Sequence, residues 1–561
     1  MKPGRDSIFL LLIILCLVIL ITLPYLLAAR TANPGFVFGG FLLNPIDGNS
    51  YLAKMYQGWQ GSWSFRLPYT AEPGEGAYLF LYYLLLGHLA RFAGLPLLLV
   101  YHMARLAGAV FLVLSLDRFF RATMKTRRGY QIAMILAIFG SGMGWLAALF
   151  GGFTSDMWVA EAYPFLSAYT NPHFPLGLGL LVWLLAPNNL QGIGEPFTVN
   201  SLINRKGAGE SETNSRLAAR YRPYPAKIIL MALILGIVLP FGVVVALAAL
   251  GGLIGLEMMS AKVRGISSVN LLQNPLLTRL LFVFLGGAPV IGYDLWVANT
   301  HPALAVWNAQ NLTLSPPPWD VLLSFSPVIW LAFAGAFILV KRRSHEGQIL
   351  MIWATLGLLL VFLPVGLQRR FMMGLYIPLA GLAVTGLEPF LSRRKEKSPP
   401  LVKGGWRIQF RTPNKAWMVV FFLALPTNML ILSAAAHGIK THDPAIYLTS
   451  GESRALRWVE ENTRGDAVIL AAPQTGLYIP AWTGRRVIYG HPYETVNAVQ
   501  EEALTEAFFQ DPRLLDSNPA LGAVEYVFDG PRERDLGGEM QEKDLEIAYR
   551  ADGVIVYRVK R

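Results

Sequence analysis

The chain has 561 residues, 54% of them hydrophobic and only 15% charged, with a mean hydropathy of +0.43. A soluble domain carries roughly 25% charged residues, so these figures argue against a water-soluble enzyme and exclude a disordered chain, a collagen or a coiled coil. The single cysteine, Cys16, lies in an apolar run, which excludes a disulfide scaffold. The net charge of +12 is unevenly spread: residues 437–561 hold 14 Lys and Arg against 20 Asp and Glu, and the rest of the chain holds 34 against 16. The basic excess falls in short loops between apolar runs, as in membrane topology, and not on one face as nucleic-acid binding requires.

A spanning helix needs about 20 apolar residues. Taken in order, the runs 8–29, 95–116, 130–150, 276–298, 320–340, 347–366, 371–391 and 416–436 meet this length, and 173–187 is a shorter one. The run 227–257 is broken by Pro240 and reads as two short helices meeting at the Pro-Phe step. Residues 78–93, apolar but carrying His88 and Arg91, read as an interfacial or re-entrant helix. The sum is about 11 spans, the N-terminus with Lys2 and Arg5 in the cytoplasm and the C-terminal part outside. The loops 117–129, 188–227, 341–346 and 392–415 then lie inside, and 27 of the 34 basic residues are cytoplasmic, a strong positive-inside asymmetry. A rival count makes 78–93 a span and 227–257 one kinked helix, which would export two basic loops. The first run is longer than a signal-peptide core. The stretches 188–226 and 393–415 read as cytoplasmic inserts.

From 451 the chain changes character. Helical spacing over 451–462 and 496–509 alternates with short strands at 467–471, 486–489, 524–528 and 554–559. This alternation predicts a small α/β domain of about 110 residues. The expected fold is therefore a polytopic α-helical membrane domain, 1–436, with an extracytoplasmic α/β domain, 437–561.

Three places carry candidate chemistry. The first outer loop, 30–77, contains Asn44-Pro-Ile-Asp47-Gly48 followed by Tyr51, one helical turn from Asp47 on the same face, and is rich in Trp and Tyr. Asp47 reads either as a carboxylate held over a lipid headgroup or as a helix cap among interfacial aromatics. The second outer loop, 151–172, brings Asp156, Glu161 and the adjoining Asn171-Pro172-His173. This set could bind a divalent cation or position a hydroxyl, although its spacing fits no strict metal motif. The third is Arg369-Arg370-Phe371, an arginine pair on the outer side against the charge trend. It suits a phosphate, or snorkelling toward anionic headgroups. Arg105 with His102 is a weaker case of the same kind. The outer loop 299–319 reads as a lid, and its Asn311-Leu-Thr313 matches a glycosylation triplet.

One apolar span, a long aromatic outer loop with an early Asp, a second acidic outer loop and a later outer Arg pair together resemble the GT-C superfamily of polytopic glycosyltransferases, which use polyprenyl-phosphate sugars. Within it the layout looks most like protein O-mannosyltransferases and aminoarabinose transferases. The resemblance covers roughly residues 1–436. It rests on Asp47 with Tyr51, the Asp156/Glu161 loop with His173, and the Arg369-Arg370-Phe371 run; seven spans before the 299–319 loop also match the family's shared helical module. The chain departs from the family in having a single Asp followed by Gly48 where relatives carry an acidic pair. The resemblance implies a membrane glycosyltransferase, in the plasma (inner) membrane, moving a hexose or pentose from a polyprenyl-phosphate donor to a protein, lipid or glycan hydroxyl at the outer face with inversion. Asp47 would be the general base. Tyr51, Asp156, Glu161 and His173 would contact substrate, and Arg369 and Arg370 would hold the lipid phosphate. It leaves open Mg2+ or Mn2+ on Asp47, Asp156 and Glu161, since some relatives use a metal and others none. The rival readings are a lipid-linked sugar flippase, a cell-envelope glycan polymerase or ligase, and a sensor whose business is the outer domain.

Overall fold

The computed structural model describes residues 5–187, 225–263, 274–342, 347–392, 415–537, 540 and 545–560. The inserts expected over 188–226 and 393–415 lie almost wholly outside these residues.

The membrane part runs through α1 (Arg5–Thr31), strand β1 (Phe36–Phe38), α2 (Pro45–Trp59), α3 (Leu81–Ala93), α4 (Leu97–Thr123), α5 (Arg127–Phe139), α6 (Gly144–Ala148), α7 (Ser155–Trp158), α8 (Pro164–Tyr169) and α9 (His173–Leu185). It continues through α10 (Pro225–Val238), α11 (Pro240–Val263), α12 (Pro275–Thr300), α13 (Pro302–Gln310), α14 (Pro318–Phe325), α15 (Val328–Arg342), α16 (Gln348–Val361), α17 (Tyr376–Ser392), α18 (Lys415–Ala424) and α19 (Pro426–Thr441). Every expected span is helical. Among the described residues six helical segments, α1, α4, α5 with α6, α11, α12, and α18 with α19, are long and apolar enough to cross a membrane, or seven when α14 and α15, bent by 79°, count as one. Four shorter apolar helices accompany them: α9, α10, α16 and the Tyr376–Glu388 part of α17. The helices α9, α10 and α16 have 13, 14 and 14 residues, about 20 Å of helix against a hydrocarbon core of about 30 Å. The α9 side chains are almost completely buried among their neighbours, whereas α10 and α16 each keep a partly exposed face. Pro240 divides the 227–257 run as expected, but its second part, α11, is a full 24 residues. The 78–93 stretch forms the 13-residue α3, too short to span.

The α3 helix packs tightly on α2 because both are glycine-notched at the crossing. A Cβ on Gly58 would lie 2.1 Å from the Leu84 carbonyl oxygen, and one on Gly87 2.0 Å from that of Met55. This contact fixes the direction of α2, whose first turn carries Asp47.

The C-terminal part forms β2 (Tyr447–Thr449), α20 (Ser450–Asn462), β3 (Val468–Leu470), α21 (Pro473–Thr483), β4 (Arg486–Val487), α22 (Ala498–Gln510), β5 (Tyr526–Asp529), β6 (Leu545–Ala551) and β7 (Val554–Val559). The sheet order is β4-β3-β5-β7-β6. The first three strands are parallel, and β7 and β6 form an antiparallel hairpin at one edge. Successive β3 residues alternate between two cores: Ile469 packs with Leu456, Val459 and Ile479 on one face, and Val468 and Leu470 with Phe508 and Phe509 on the other. That is a three-layer α/β/α domain, as the period-2 pattern demands. The domain is stitched to the membrane part: β1 pairs antiparallel with β2, Phe36 opposite Thr449, and α21 packs against α2.

Candidate active site

The α2 helix starts where it does because Asn44 takes a left-handed conformation (φ 51°) and Pro45 supplies the preset first helical residue. The cap is therefore Asn44, not Asp47. Asn44 Oδ1 accepts the Asp47 backbone N–H at 3.3 Å, and its amide donates to Asp47 Oδ2 at 2.5 Å. One carboxylate oxygen is thus fixed by the cap, while Oδ1 accepts no hydrogen bond among the described residues and its side chain stays 36% exposed. The residue after it is glycine for want of space: a Cβ on Gly48 would lie 2.5 Å from the Phe41 ring. This explains the absence of an acidic pair.

Tyr51, one turn on, is half-buried and stacked on Tyr83 with ring centroids 4.3 Å apart. Burial, followed by the nearby Asp47 charge, pushes its phenol well above the usual value, so it stays protonated.

The arginine pair lies on a 3-10 turn, Gln368–Met372, between α16 and α17. Arg370 Nη1 contacts Glu161 Oε1 at 3.2 Å, and the Gly374 N–H donates to the Glu161 carbonyl at 2.8 Å. The 151–172 loop and the arginine turn are locked together in this way. Burial works against the Arg370 charge, but Glu161, Tyr51 and Asp47 outweigh it and hold its pKa above the ordinary value. Arg369 lies over the Trp158 ring at 4.4 Å. Burial pulls its pKa below the ordinary value, against the opposing charges of Glu161 and Asp47. Both guanidinium groups therefore sit in the fields of Asp47 and Glu161.

The C-terminal domain supplies the remaining wall through residues that the sequence reading did not single out. The loop after β4 carries His491-Pro492-Tyr493-Glu494. Glu494 Oε1 meets the fully buried Lys54 ammonium of α2 at 2.5 Å, and Ser50 bonds to both. Lys54 also lies over the Phe80 ring at 4.4 Å. Burial lowers the Lys54 pKa and Glu494 opposes that drop. For Glu494, burial alone would raise the carboxyl, but Lys54 and His491 overcome it and hold it below the usual range. His491 is buried, with Nε2 3.8 Å from Asp47 Oδ1. The only sequence signal for this loop was its place at the carboxyl end of a parallel strand, where α/β sheets bind ligands.

The 299–319 loop acts as a clasp. Gln310 donates to the Thr495 carbonyl and Asn311 to the Tyr493 carbonyl, both at 2.6 Å. Beyond it, Arg369 N–H donates to the Thr313 carbonyl at 3.1 Å. The loop thus joins the arginine turn to the His491 loop, and the Asn311 amide of the glycosylation triplet is engaged in that junction.

Two expected site residues fall elsewhere. Asp156 is completely buried and accepts hydrogen bonds from Thr154 Oγ1 (2.7 Å), Gly144 N–H (3.0 Å) and Ser324 Oγ (3.3 Å). Burial raises its pKa and these donors oppose the rise. Its job is to pin α6, α7 and α14 together. Asp156→Asn turns an amide toward those donors, and the expected result is a loss of about 1–3 kcal/mol of stability, read as a lower unfolding midpoint of the purified chain. His173 stands behind Tyr51, its ring 4.9 Å away, and shares a 2.6 Å hydrogen bond with the Tyr83 hydroxyl. Arg105, the weaker anion candidate, donates to the carbonyls of Ile21, Ala168 and Tyr169. The trio Asp47, Asp156 and Glu161 is not assembled: among the described residues no three His, Cys, Asp or Glu side chains gather as a metal site requires. The donors around Asp156 leave it no free oxygen for a cation, so the residues do not fit the open Mg2+ or Mn2+ reading.

No family model matches the sequence, and no curated protein does. Among solved structures, the chain is similar to the Archaeoglobus fulgidus oligosaccharyltransferase in complex with zinc and sulfate (14% identity, 96% of this chain and 73% of that one, TM-score 0.47). It is also similar to ArnT from Cupriavidus metallidurans bound to undecaprenyl phosphate (10% identity, 96% and 97%, TM-score 0.45). A third is the arabinofuranosyltransferase AftD from Mycobacteria (15% identity, 97% and 41%, TM-score 0.44). At these identities no residue role is carried over from them.

Proposed function

We propose that the chain is a membrane glycosyltransferase that moves a sugar from a polyprenyl-phosphate donor to an acceptor hydroxyl at the extracytoplasmic face, with inversion. The observation that carries this reading is Asp47 Oδ1, left free by the cap on Oδ2 and electrostatically coupled, with Glu161, to the Arg369 and Arg370 guanidinium groups. A base and an anion site side by side, next to membrane-length helices, suit a reaction in which a hydroxyl loses its proton while a lipid phosphate departs.

In the proposed step the acceptor oxygen forms a bond to the anomeric carbon as the bond from that carbon to the phosphate oxygen breaks. The hydroxyl proton passes to Asp47, and the electron pair of the broken bond leaves with the phosphate. Arg370, and Arg369 held on Trp158, stabilise the charge that gathers there. Fixed cations in a water-poor site cost no reorganisation as that charge develops. Glu161 keeps Arg370 oriented between turnovers. Tyr51, protonated, borders the base without competing for the proton.

The test is incubation of the full chain in proteoliposomes with a panel of polyprenyl-phosphate sugars, scoring release of polyprenyl phosphate. Release in step with sugar transfer supports the reading; lipid movement without cleavage would support the flippase instead. Arg370→Lys keeps the charge and loses the planar fork that matches phosphate. The expected result is a fall of about tenfold in kcat, with a smaller change in donor KM.

A further inference from the structure

The loop His491–Glu494 leaves unmet bonding capacity beside Asp47. His491 Nδ1 accepts the backbone N–H groups of Tyr493 and Glu494, both at 3.1 Å. A ring nitrogen that accepts twice carries no proton, so the proton of the neutral ring resides on Nε2. That N–H has no partner, and neither does Glu494 Oε2. Both belong to buried residues, His491 at 1% exposure and Glu494 at 8%. Buried polar groups are nearly always paired, so two orphans on one loop, beside a free carboxylate oxygen, mark a place for a ligand.

The spacing sets what that ligand is. Nε2 and Asp47 Oδ1 are 3.8 Å apart, too far for a direct bond. One oxygen at about 2.8 Å from each, an ordinary hydrogen-bond length, would bridge them. A hydroxyl there donates to Asp47 and accepts from His491, which satisfies both. Glu494 Oε2 can only accept, because Lys54 keeps the carboxylate ionised, and it calls for a second O–H. A serine or threonine side chain has one hydroxyl; a sugar has neighbouring ones.

We infer that His491 and Glu494 complete an acceptor subsite with Asp47, and that the acceptor is polyhydroxylated, a sugar unit. The inference rests on the transfer reading above and adds the class of acceptor to it. His491 is a positioning residue: it holds the reacting hydroxyl against the base.

The test is binding by the full chain in lipid nanodiscs without any donor, so failure of donor cleavage and failure of this inference are separate results. The probes are the methyl glycosides of mannose, glucose, galactose and arabinose, with N-acetylserinamide as the single-hydroxyl control, measured by saturation-transfer NMR. At least one glycoside is expected to bind more tightly than the serinamide. Two variants cross the possibilities. His491→Asn keeps an acceptor oxygen for the two loop N–H groups and loses the Nε2 donor; His491→Gln restores an N–H at the depth of Nε2 and gives up the loop acceptor. The expected result is glycoside binding about tenfold weaker in His491→Asn, the loss of about one hydrogen bond, and closer to wild type in His491→Gln. Equal binding of serinamide and every glycoside overturns the inference. So does the reverse order of the variants, which marks His491 as loop scaffolding alone.

Discussion

Asp47→Asn is expected to cut turnover by about 10²–10⁴-fold, the usual contribution of a general base, with the unfolding midpoint unchanged. The structure separates these outcomes because the two carboxylate oxygens have different duties. Oδ2 accepts the Asn44 amide, and an asparagine oxygen can accept the same bond. The cap is built from Asn44 Oδ1 and Pro45 and does not need a charge at 47. The other position changes chemically. An amide N–H now faces the acceptor hydroxyl where a proton acceptor stood, so the hydroxyl loses its base and meets a competing donor. The measurement is the rate of polyprenyl-phosphate release at saturating donor, beside a melting curve of the same preparation. Wild-type turnover in Asp47→Asn would remove Asp47 from the mechanism. It would then favour the flippase reading, which asks nothing of this oxygen.

Much of the helical framework was legible because lipid-length apolar runs are a strong signal, and Pro240 divides α10 from α11 as its missing N–H requires. Span length was less legible. The α9 sequence is as apolar as a true span, and hydropathy does not distinguish a helix facing lipid from one enclosed by other helices. In the C-terminal domain β3, β5 and β7 were readable from short Val/Ile runs. The β6 strand was not: Glu546 and Arg550 lie on an edge strand, where charge guards against further pairing and hides the strand pattern. The α21 helix was hidden by Pro473, Gly476 and Pro480, yet it is held by burial against α2. Tertiary packing overrides local propensity there.

The site divides along the same line. Asp47, Tyr51, Glu161, Arg369 and Arg370 stood out because each is a charge or phenol in an unexpected setting, and the structure gathers them. Asp156 stood out equally and serves packing, since a sequence does not show whether a buried acid is already met by Thr154, Gly144 and Ser324. Lys54, His491 and Glu494 were invisible for the opposite reason. Their meaning arises from a contact between residues 440 positions apart, and each alone looks like ordinary surface charge.

That contact carries the second large effect. Glu494→Gln is expected to cost about 3–5 kcal/mol of stability, the penalty for leaving one member of a buried ion pair uncompensated. Lys54 is completely buried, with aromatic rings of Phe65, Phe80 and Tyr51 around its ammonium, so it has no route to water when the carboxylate is removed. Ser50 alone cannot replace a charge. Because Lys54 lies on α2 and Glu494 on the C-terminal domain, the loss should loosen the seating of that domain and expose the linker before β2 to protease. A double-mutant cycle with Lys54→Met identifies the cause: the paired variant Lys54→Met/Glu494→Gln should recover most of the loss, because no unpaired charge remains, whereas independent effects would add. The pH dependence has a defined sign. The Glu494 carboxyl titrates below its ordinary 4.5 in the folded chain, so its contribution is complete above about pH 4.5 and is lost as the pH falls through the lower, folded value. Melting curves taken between pH 3 and 7, about the span over which a carboxylate titrates, should show this acid-side loss in the wild type and a flatter profile in Glu494→Gln. Equal slopes for the two proteins would mean that the pair does not hold the domain in place.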